Sequence, residues 1–300
     1  MIVTKLSGGM GNQMFQYSVG RALAIKHNTS LHLYLDNLLD RDPKLKHTFR
    51  DYDLDIFNTE ESFIGREALP IFYRHYFNSK SRFFMRGLRF VIRKFIGGKW
   101  VGRHLDFGPV PLSNEGEDLY LEGFWFNEKY FSDIIDILRK DFTLKKAPDM
   151  NIKNLIEVIK KENSLCIHVR RGDYVGNKDF ENVTNDYYYK ALAYLDTKVK
   201  IDRIYVFSDD IAWCKENMNF DTPAMFVGSE YSGEKAGGHH TLMQSCKYFI
   251  IPNSTFSWWA AWLAPYKDKI VIAPKSWHPE SSKHKDNDKD SIVPVSWIKI

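Results

Sequence analysis

Two adjacent arginines, Arg170 and Arg171, stand in the segment His168-Val169-Arg170-Arg171-Gly172-Asp173, directly after the apolar run Ser164-Leu165-Cys166-Ile167. A buried strand ending in such residues puts them where an α/β sheet presents its ligands. A guanidinium offers a planar fork of donors matched to phosphate oxygens and stays charged at any working pH. The pair reads as a diphosphate site that needs no metal. The alternative is a structural Arg–Asp pair that closes a turn.

Three further segments carry residues with chemistry. Gly8-Gly9-Met10-Gly11-Asn12-Gln13 follows the first strand and opens the first helix. Its glycines let backbone approach a ligand, and the helix N-terminus offers N–H groups to an anion or hydroxyl. It is neither Gly-x-Gly-x-x-Gly nor a P-loop, and a tight turn without a ligand is the competing reading. Phe207-Ser208-Asp209-Asp210 ends a strand in two acids. One is expected to cap the helix that follows, leaving the other to accept from a guanine edge or a ribose hydroxyl. Asn253-Ser254-Thr255-Phe256-Ser257-Trp258-Trp259 follows another strand. Ser254, Thr255 and Ser257 fit a phosphate-binding helix start, while the aromatic residues are expected to pack the helix on its sheet.

Other chemistries find little support. The Asp-x-Asp pairs, Asp53/Asp55 and Asp286/Asp288, lack a strand-end context, and His239-His240 have no partner at ligand spacing. No metal is therefore expected, and a solvated turn or helix start is expected at the two histidines. No Gly-x-Ser-x-Gly elbow marks a hydrolase nucleophile. Cys166, Cys214 and Cys246 read as buried free thiols, which fits a reducing cytoplasm.

These groups need a scaffold. The chain has 300 residues, 44% hydrophobic and 27% charged, the balance of a globular protein rather than a disordered one. No apolar run approaches the roughly 20 residues of a membrane-spanning helix, and no signal peptide is expected. Strands are expected at Ile2–Leu6, Leu31–Leu35, Leu119–Gly123, Leu165–Val169, Arg203–Phe207, Ala224–Val227, Tyr248–Ile251 and Ile270–Ala273. Helices are expected over 12–26, 128–139, 186–198, 211–217, 239–246 and 255–263. Such alternation implies an α/β fold with mostly parallel sheets, in two Rossmann-like domains with a cleft between them. The lysine-rich stretch around Pro148 reads as the linker, giving domains 1–148 and 149–300. The run Ser281–Asp290 reads as a solvated loop.

The net charge of +4 is local in origin. Residues 68–105 hold nine Lys or Arg and no Asp or Glu, so the remainder is acidic. Arg82, Arg86, Arg89 and Arg93 share one face of an expected amphipathic helix over 82–96. That is either a surface helix packed on its own domain or a device for docking on anionic lipid, each Arg adding about 1 kcal/mol.

Four segments together resemble glycosyltransferase family 11, the inverting α-1,2-fucosyltransferases that use GDP-fucose. They are Gly8–Gln16, His168–Asp173, Leu242–Cys246 and Asn253–Leu263, in the expected order over most of the chain. The chain departs from the family before Leu242, where members often carry an acid and this sequence has Gly237-Gly238-His239-His240. The resemblance implies a GT-B-type arrangement with GDP-fucose on the C-terminal domain and the acceptor on the N-terminal one. Arg170 would contact the β-phosphate, His168 and Asp209 or Asp210 would lie near the nucleoside, and Ser254, Thr255 and Phe256 along the diphosphate, with Asn253 and Ser257 also counted among the substrate-binding residues. Gly9, Gly11, Asn12 and Gln13 would face the sugar and acceptor.

The reaction so implied moves L-fucose to the 2-hydroxyl of a terminal β-galactoside, without a metal cofactor. Arg170, with Arg171 sharing its role or holding Asp173, would offset charge on the departing GDP. Asp173 is the nearest candidate general base, although an arginine partner would make it a weak one. A lipid-linked oligosaccharide of O-antigen or capsule synthesis is the expected acceptor. The expected location is the bacterial cytoplasm, peripheral on the inner membrane. The rivals are a fucosyltransferase of other linkage, a transferase of another GDP-sugar, and a nucleic-acid-binding protein using 68–105. No RNA-binding signature supports the last, so no nucleic acid is expected as partner.

Overall fold

A computed structural model describes residues 1–42, 49–69, 99–102, 118–180, 183–279, 282 and 292–300, with 99–102 as backbone. The chain divides into two compact units, Met1–Thr143 and Leu144–Ile300. Each is α/β, and every strand pairing is parallel.

In the first unit β1 (Ile2–Lys5) lies between β2 (Leu31–Tyr34) and β4 (Leu119–Glu122), with β3 (Lys99–Gly102) outside β4. Helix α1 (Met10–Lys26) packs on β1 and β2, and a single turn, α2 (Asp36–Leu39), follows β2. The approach of α1 depends on Gly20. A Cβ there would sit 2.3 Å from Thr4 Oγ1 and 2.7 Å from Leu31 Cδ1. The helix expected over 128–139 is instead two 3-10 turns followed by α3 (Ile135–Asp141). Phe131 breaks it, buried against Phe15 with its backbone outside the helical region.

The second unit is a six-stranded sheet in the order β10-β9-β8-β5-β6-β7. Its strands are β5 (Ser164–Val169), β6 (Arg203–Ser208), β7 (Ala224–Phe226), β8 (Tyr248–Ile250), β9 (Ile270–Ala273) and β10 (Ile298–Lys299). The chain winds outward from β5 through β6 and β7, then crosses to the other side of β5 and continues through β8 to β10. This is the doubly wound order, and its reversal falls between β5 and β8. All six residues of β5 are buried, as a central parallel strand covered on both faces requires. The helices are α4 (Met150–Lys161), α5 (Asn185–Asp196), α6 (Ile211–Asn217), α7 (Gly237–Gln244) and α8 (Thr255–Leu263).

Helix α4 occupies sequence read as linker. Ile152, Leu155, Ile156 and Ile159 form its buried face at helical spacing, under an exposed lysine-rich one. Tyr187, Tyr188, Ala191 and Leu195 of α5 close over Leu165, Ile167, Ile204 and Val206 of the sheet. Each such buried side chain contributes roughly 1.5–3 kcal/mol. Trp258 and Trp259 of α8 are fully buried, as expected of residues that pack the helix. Lys269 caps the C-terminus of α8, its Nζ donating to the carbonyls of Ala261, Trp262 and Ala264 at 2.7–2.8 Å.

The three cysteines are free and buried. Among the described residues no helix is long and apolar enough to cross a membrane. The amphipathic helix expected over 82–96, and all of the loop 281–290 except Ser282, lie outside the described residues.

Candidate active site

The C-terminal strand ends of the second sheet bring three of the sequence segments together. Val169 pairs with Ser208, so Arg170 and Asp209 each stand one step past a strand end on adjacent strands. Strand β8 flanks β5 on the other side, and Asn253-Ser254 follow it. At a parallel sheet's switch point the diverging connections leave a crevice for a ligand.

Both arginines are held by acids, though not as the sequence alone implied. Arg170 donates from Nε and Nη2 to Asp173 Oδ1 at 3.0 and 2.7 Å, and its Nη1 lies 3.1 Å from Asp209 Oδ2. Burial pulls its pKa down, but Asp209 and Asp173 outweigh burial and hold it above the ordinary value. The guanidinium also lies over the Tyr174 ring, 5.6 Å from its centroid. Asp173 and Asp209 thus engage three of its five N–H donors, which leaves one on each terminal nitrogen for an anion.

Arg171 points elsewhere. Its guanidinium carbon lies over the Trp213 ring, 3.6 Å from the centroid, with Nε 3.3 Å from Asp210 Oδ2. It therefore holds Asp210, while Asp173 belongs to Arg170. Asp210 is also the N-cap of α6, accepting from Trp213 N at 3.2 Å. Asp209, the acid that this cap leaves over, is engaged as well, accepting the backbone N–H groups of Arg171 and Gly172 at 2.9 and 3.0 Å. A Cβ at Gly172 would lie 2.7 Å from Asp209 Oδ2, so a larger residue there would have to displace that carboxylate.

Tyr174 ties the arginine turn to the β8 side. Its hydroxyl donates to the Asn253 carbonyl at 3.0 Å, and its ring stacks on Phe180 at 5.4 Å. Asn253 Nδ2 donates to the Phe180 carbonyl at 2.9 Å, while its buried Oδ1 has no partner among the described residues. Ser254 is the N-cap of α8 without a side-chain cap bond, so the positive end of that helix opens beside the turn. Ser257 is buried, its hydroxyl donating to the Ser254 carbonyl at 3.3 Å; Thr255 and Phe256 are half-buried.

His168 and His240 flank the Phe256 ring at 6.0 and 5.1 Å. Burial, then Arg170 and His239, push His168 down to about 3, and burial alone does the same for His240. Both are neutral at pH 7, and His168 Nδ1 is buried without a partner. The histidines 239 and 240 do open a helix, but not a solvated one. His240 is fully buried and His239 Nε2 meets the Gly228 carbonyl at 2.9 Å.

In the first unit the glycine turn is held from inside. Gln13 is buried, its Nε2 donating to the carbonyls of Gly8 and Asp51 and its Oε1 accepting from Asp53 N. Its amide is thereby committed to joining two loops. Gly11 is buried at the start of α1, and Gly9, its N-cap, has only Arg50 Nη1 within 4 Å of an added Cβ. Asn12 is half-buried beside Gly8, whose φ of +78° requires glycine. Among the described residues no group of three or more His, Cys, Asp or Glu is placed to hold a metal.

Sequence reasoning missed Gly172, Tyr174 and Trp213. The signal for Trp213 was its place three residues after the capping acid, and for Tyr174 its position directly after Asp173.

A doubly wound sheet whose switch point gathers an arginine fork and a helix N-terminus has the build of a nucleotide-binding domain. The chain belongs to glycosyl transferase family 11, whose model matches residues 1–300. It is 33% identical to an alpha-1,2-colitosyltransferase of Escherichia coli, over 100% of this chain and 99% of the other. It is 31% identical to the O-antigen biosynthesis glycosyltransferase WbnK of Escherichia coli, over 98% and 99%. Among solved structures it is similar to the fucosyltransferase NodZ from Bradyrhizobium, 13% identical with a TM-score of 0.47, over 88% and 93%.

Proposed function

We propose that this glycosyltransferase moves L-fucose from GDP-fucose to the 2-hydroxyl of a terminal β-galactoside, with inversion, in the assembly of a bacterial O-antigen or capsule oligosaccharide. The observation that carries the reading is Arg170, held by two carboxylates at the switch point of a doubly wound sheet. In a GT-B-type reading the second unit binds the nucleotide sugar and the first, through Gly9, Gly11 and Asn12, takes the acceptor. As the acceptor hydroxyl oxygen bonds to the sugar C1, the bond from C1 to the diphosphate oxygen breaks, the hydroxyl proton passes to solvent, and charge grows on GDP. Arg170 and the N-terminus of α8 with Ser254 and Thr255 offset that charge, and neutral His168 offers a hydrogen bond without adding to it. Asp173 is assigned to orienting Arg170 rather than to taking the hydroxyl proton, because Arg170 engages it through two hydrogen bonds. No step calls for a metal.

The test is incubation with GDP-fucose and a panel of β-galactosides, reading GDP release and product linkage. No transfer to any of them would overturn the proposal. The resemblance to an alpha-1,2-colitosyltransferase favours a second reading, with colitose as the sugar moved, and donor competition separates the two. The basic segment 68–105 supports work at an anionic membrane surface, on a lipid-linked acceptor. Flotation with anionic liposomes should carry the protein upward, and replacing Arg82, Arg86, Arg89 and Arg93 should abolish this. Recovery at the bottom of the gradient in both cases would remove the idea.

A further inference from the structure

We infer that Asp209 is a positioning residue, which fixes the Arg170 turn for the β-phosphate of a nucleoside diphosphate and makes no contact with the nucleoside. The inference rests on the reading of Arg170 given above. Three donors converge on this one carboxylate. Oδ1 accepts from Arg171 N at 2.9 Å, and Oδ2 accepts from Gly172 N at 3.0 Å and faces Arg170 Nη1 at 3.1 Å. Asp209 is reached from β6 and the turn from β5, so the carboxylate bolts the end of β5 to that of β6, beside the switch point. It fixes the backbone on the C-terminal side of Arg170 and one nitrogen of its guanidinium together. A side chain so committed has little left to offer a base or ribose.

The fit is tight enough to dictate the neighbouring residue. No left-handed φ is found at Gly172, so glycine is needed there for contact and not for backbone freedom. A Cβ would lie 2.7 Å from Asp209 Oδ2 and 3.4 Å from its Cγ. Gly172 and Asp209 therefore form one device, and an added methyl at 172 should act by dislodging the carboxylate. Asp210 has a separate task, with Oδ1 on the α6 cap and Oδ2 on Arg171.

The experiment compares GDP with GMP, which differ by the β-phosphate, using calorimetry on the full chain. Wild type should bind GDP more tightly than GMP. Asp209→Ala should weaken GDP about tenfold, leave GMP within about twofold, and add nothing in an Arg170→Ala background. Asp209→Asn keeps one oxygen for a backbone N–H and should recover part of the loss. Gly172→Ala should reproduce the GDP-selective effect, which keeps the inference open to test if Asp209→Ala fails to fold. Equal weakening of GDP and GMP by Asp209→Ala or Gly172→Ala would overturn the inference in favour of a nucleoside contact. Additivity with Arg170→Ala would overturn it as well. Wild type that binds GDP no better than GMP would instead refute the β-phosphate role of Arg170 itself.

Discussion

Replacing Arg170 by alanine separates its chemical task from its structural one. On the structural side the loss is small. Its side chain is 28% exposed and that of Asp173 47%, so their ion pair is screened and worth about 1 kcal/mol or less. Asp209 is not left without partners, because the N–H groups of Arg171 and Gly172 remain on it. The melting temperature should fall by only a few degrees. On the chemical side, in the proposed mechanism, the variant loses the guanidinium donors assigned to the leaving group. Removal of one preorganised donor of this kind costs about 2.7–4 kcal/mol, or roughly 100- to 1000-fold in turnover. Arg170→Lys keeps the charge without the fork and should fall between the two. The assay is GDP release at saturating donor, beside a melt followed by circular dichroism. A folded Arg170→Ala enzyme turning over within about threefold of wild type would refute the assignment.

Gly20→Ala should cost about 1–3 kcal/mol, because its methyl meets Thr4 Oγ1 and Leu31 Cδ1 where α1 lies on the first sheet. A melting temperature equal to wild type would contradict the packing described. His168 and His240 sit near 3 when folded against 6.5 ordinarily, so the unfolded chain binds more protons between those values. Stability is then full above about pH 6.5 and falls with acidification, by about 2 kcal/mol per histidine between pH 7.5 and 5 in urea titrations. An unfolding free energy that stays flat across that window would show these histidines to be solvated. Chelator should leave transfer unchanged, and activity lost to it but restored by Mg²⁺ would end the metal-free reading.

Much of the fold was legible because parallel strands are apolar throughout and their helices periodic. Helices α6 and α8 and strand β9 begin and end where the sequence placed them. Strand β10, two residues long, gives no pattern to read, and α4 was hidden by its lysines next to Pro148. At the site the residue types were legible but not their partners. That Asp173 serves Arg170 and Asp210 serves Arg171 follows from the register of β5 with β6 and the course of the turn, which no local spacing reveals. The burial of His240 was hidden in a similar way. Gly238 lets α7 press against Tyr231, where a Cβ would sit 2.5 Å from the carbonyl oxygen, and this carries an apparently polar segment inside.

Net charge alone would make this cluster a poor host for a diphosphate, since two guanidiniums face three carboxylates. Direction decides otherwise. Arg171 and Asp210 answer each other against Trp213 at the start of α6. The charge of Asp209 is met by two backbone N–H groups as well as by one nitrogen of Arg170. His168 stays uncharged, so it neither attracts an anion nor competes for the acids. What faces outward is the remaining fork of Arg170 and the positive end of α8, one from each strand flanking the switch point. In the proposed reading, selectivity for a diphosphate over a lone carboxylate would come from these two poles, carried by adjacent strands. A monoanion can satisfy one of them, whereas a group carrying two phosphates can engage both.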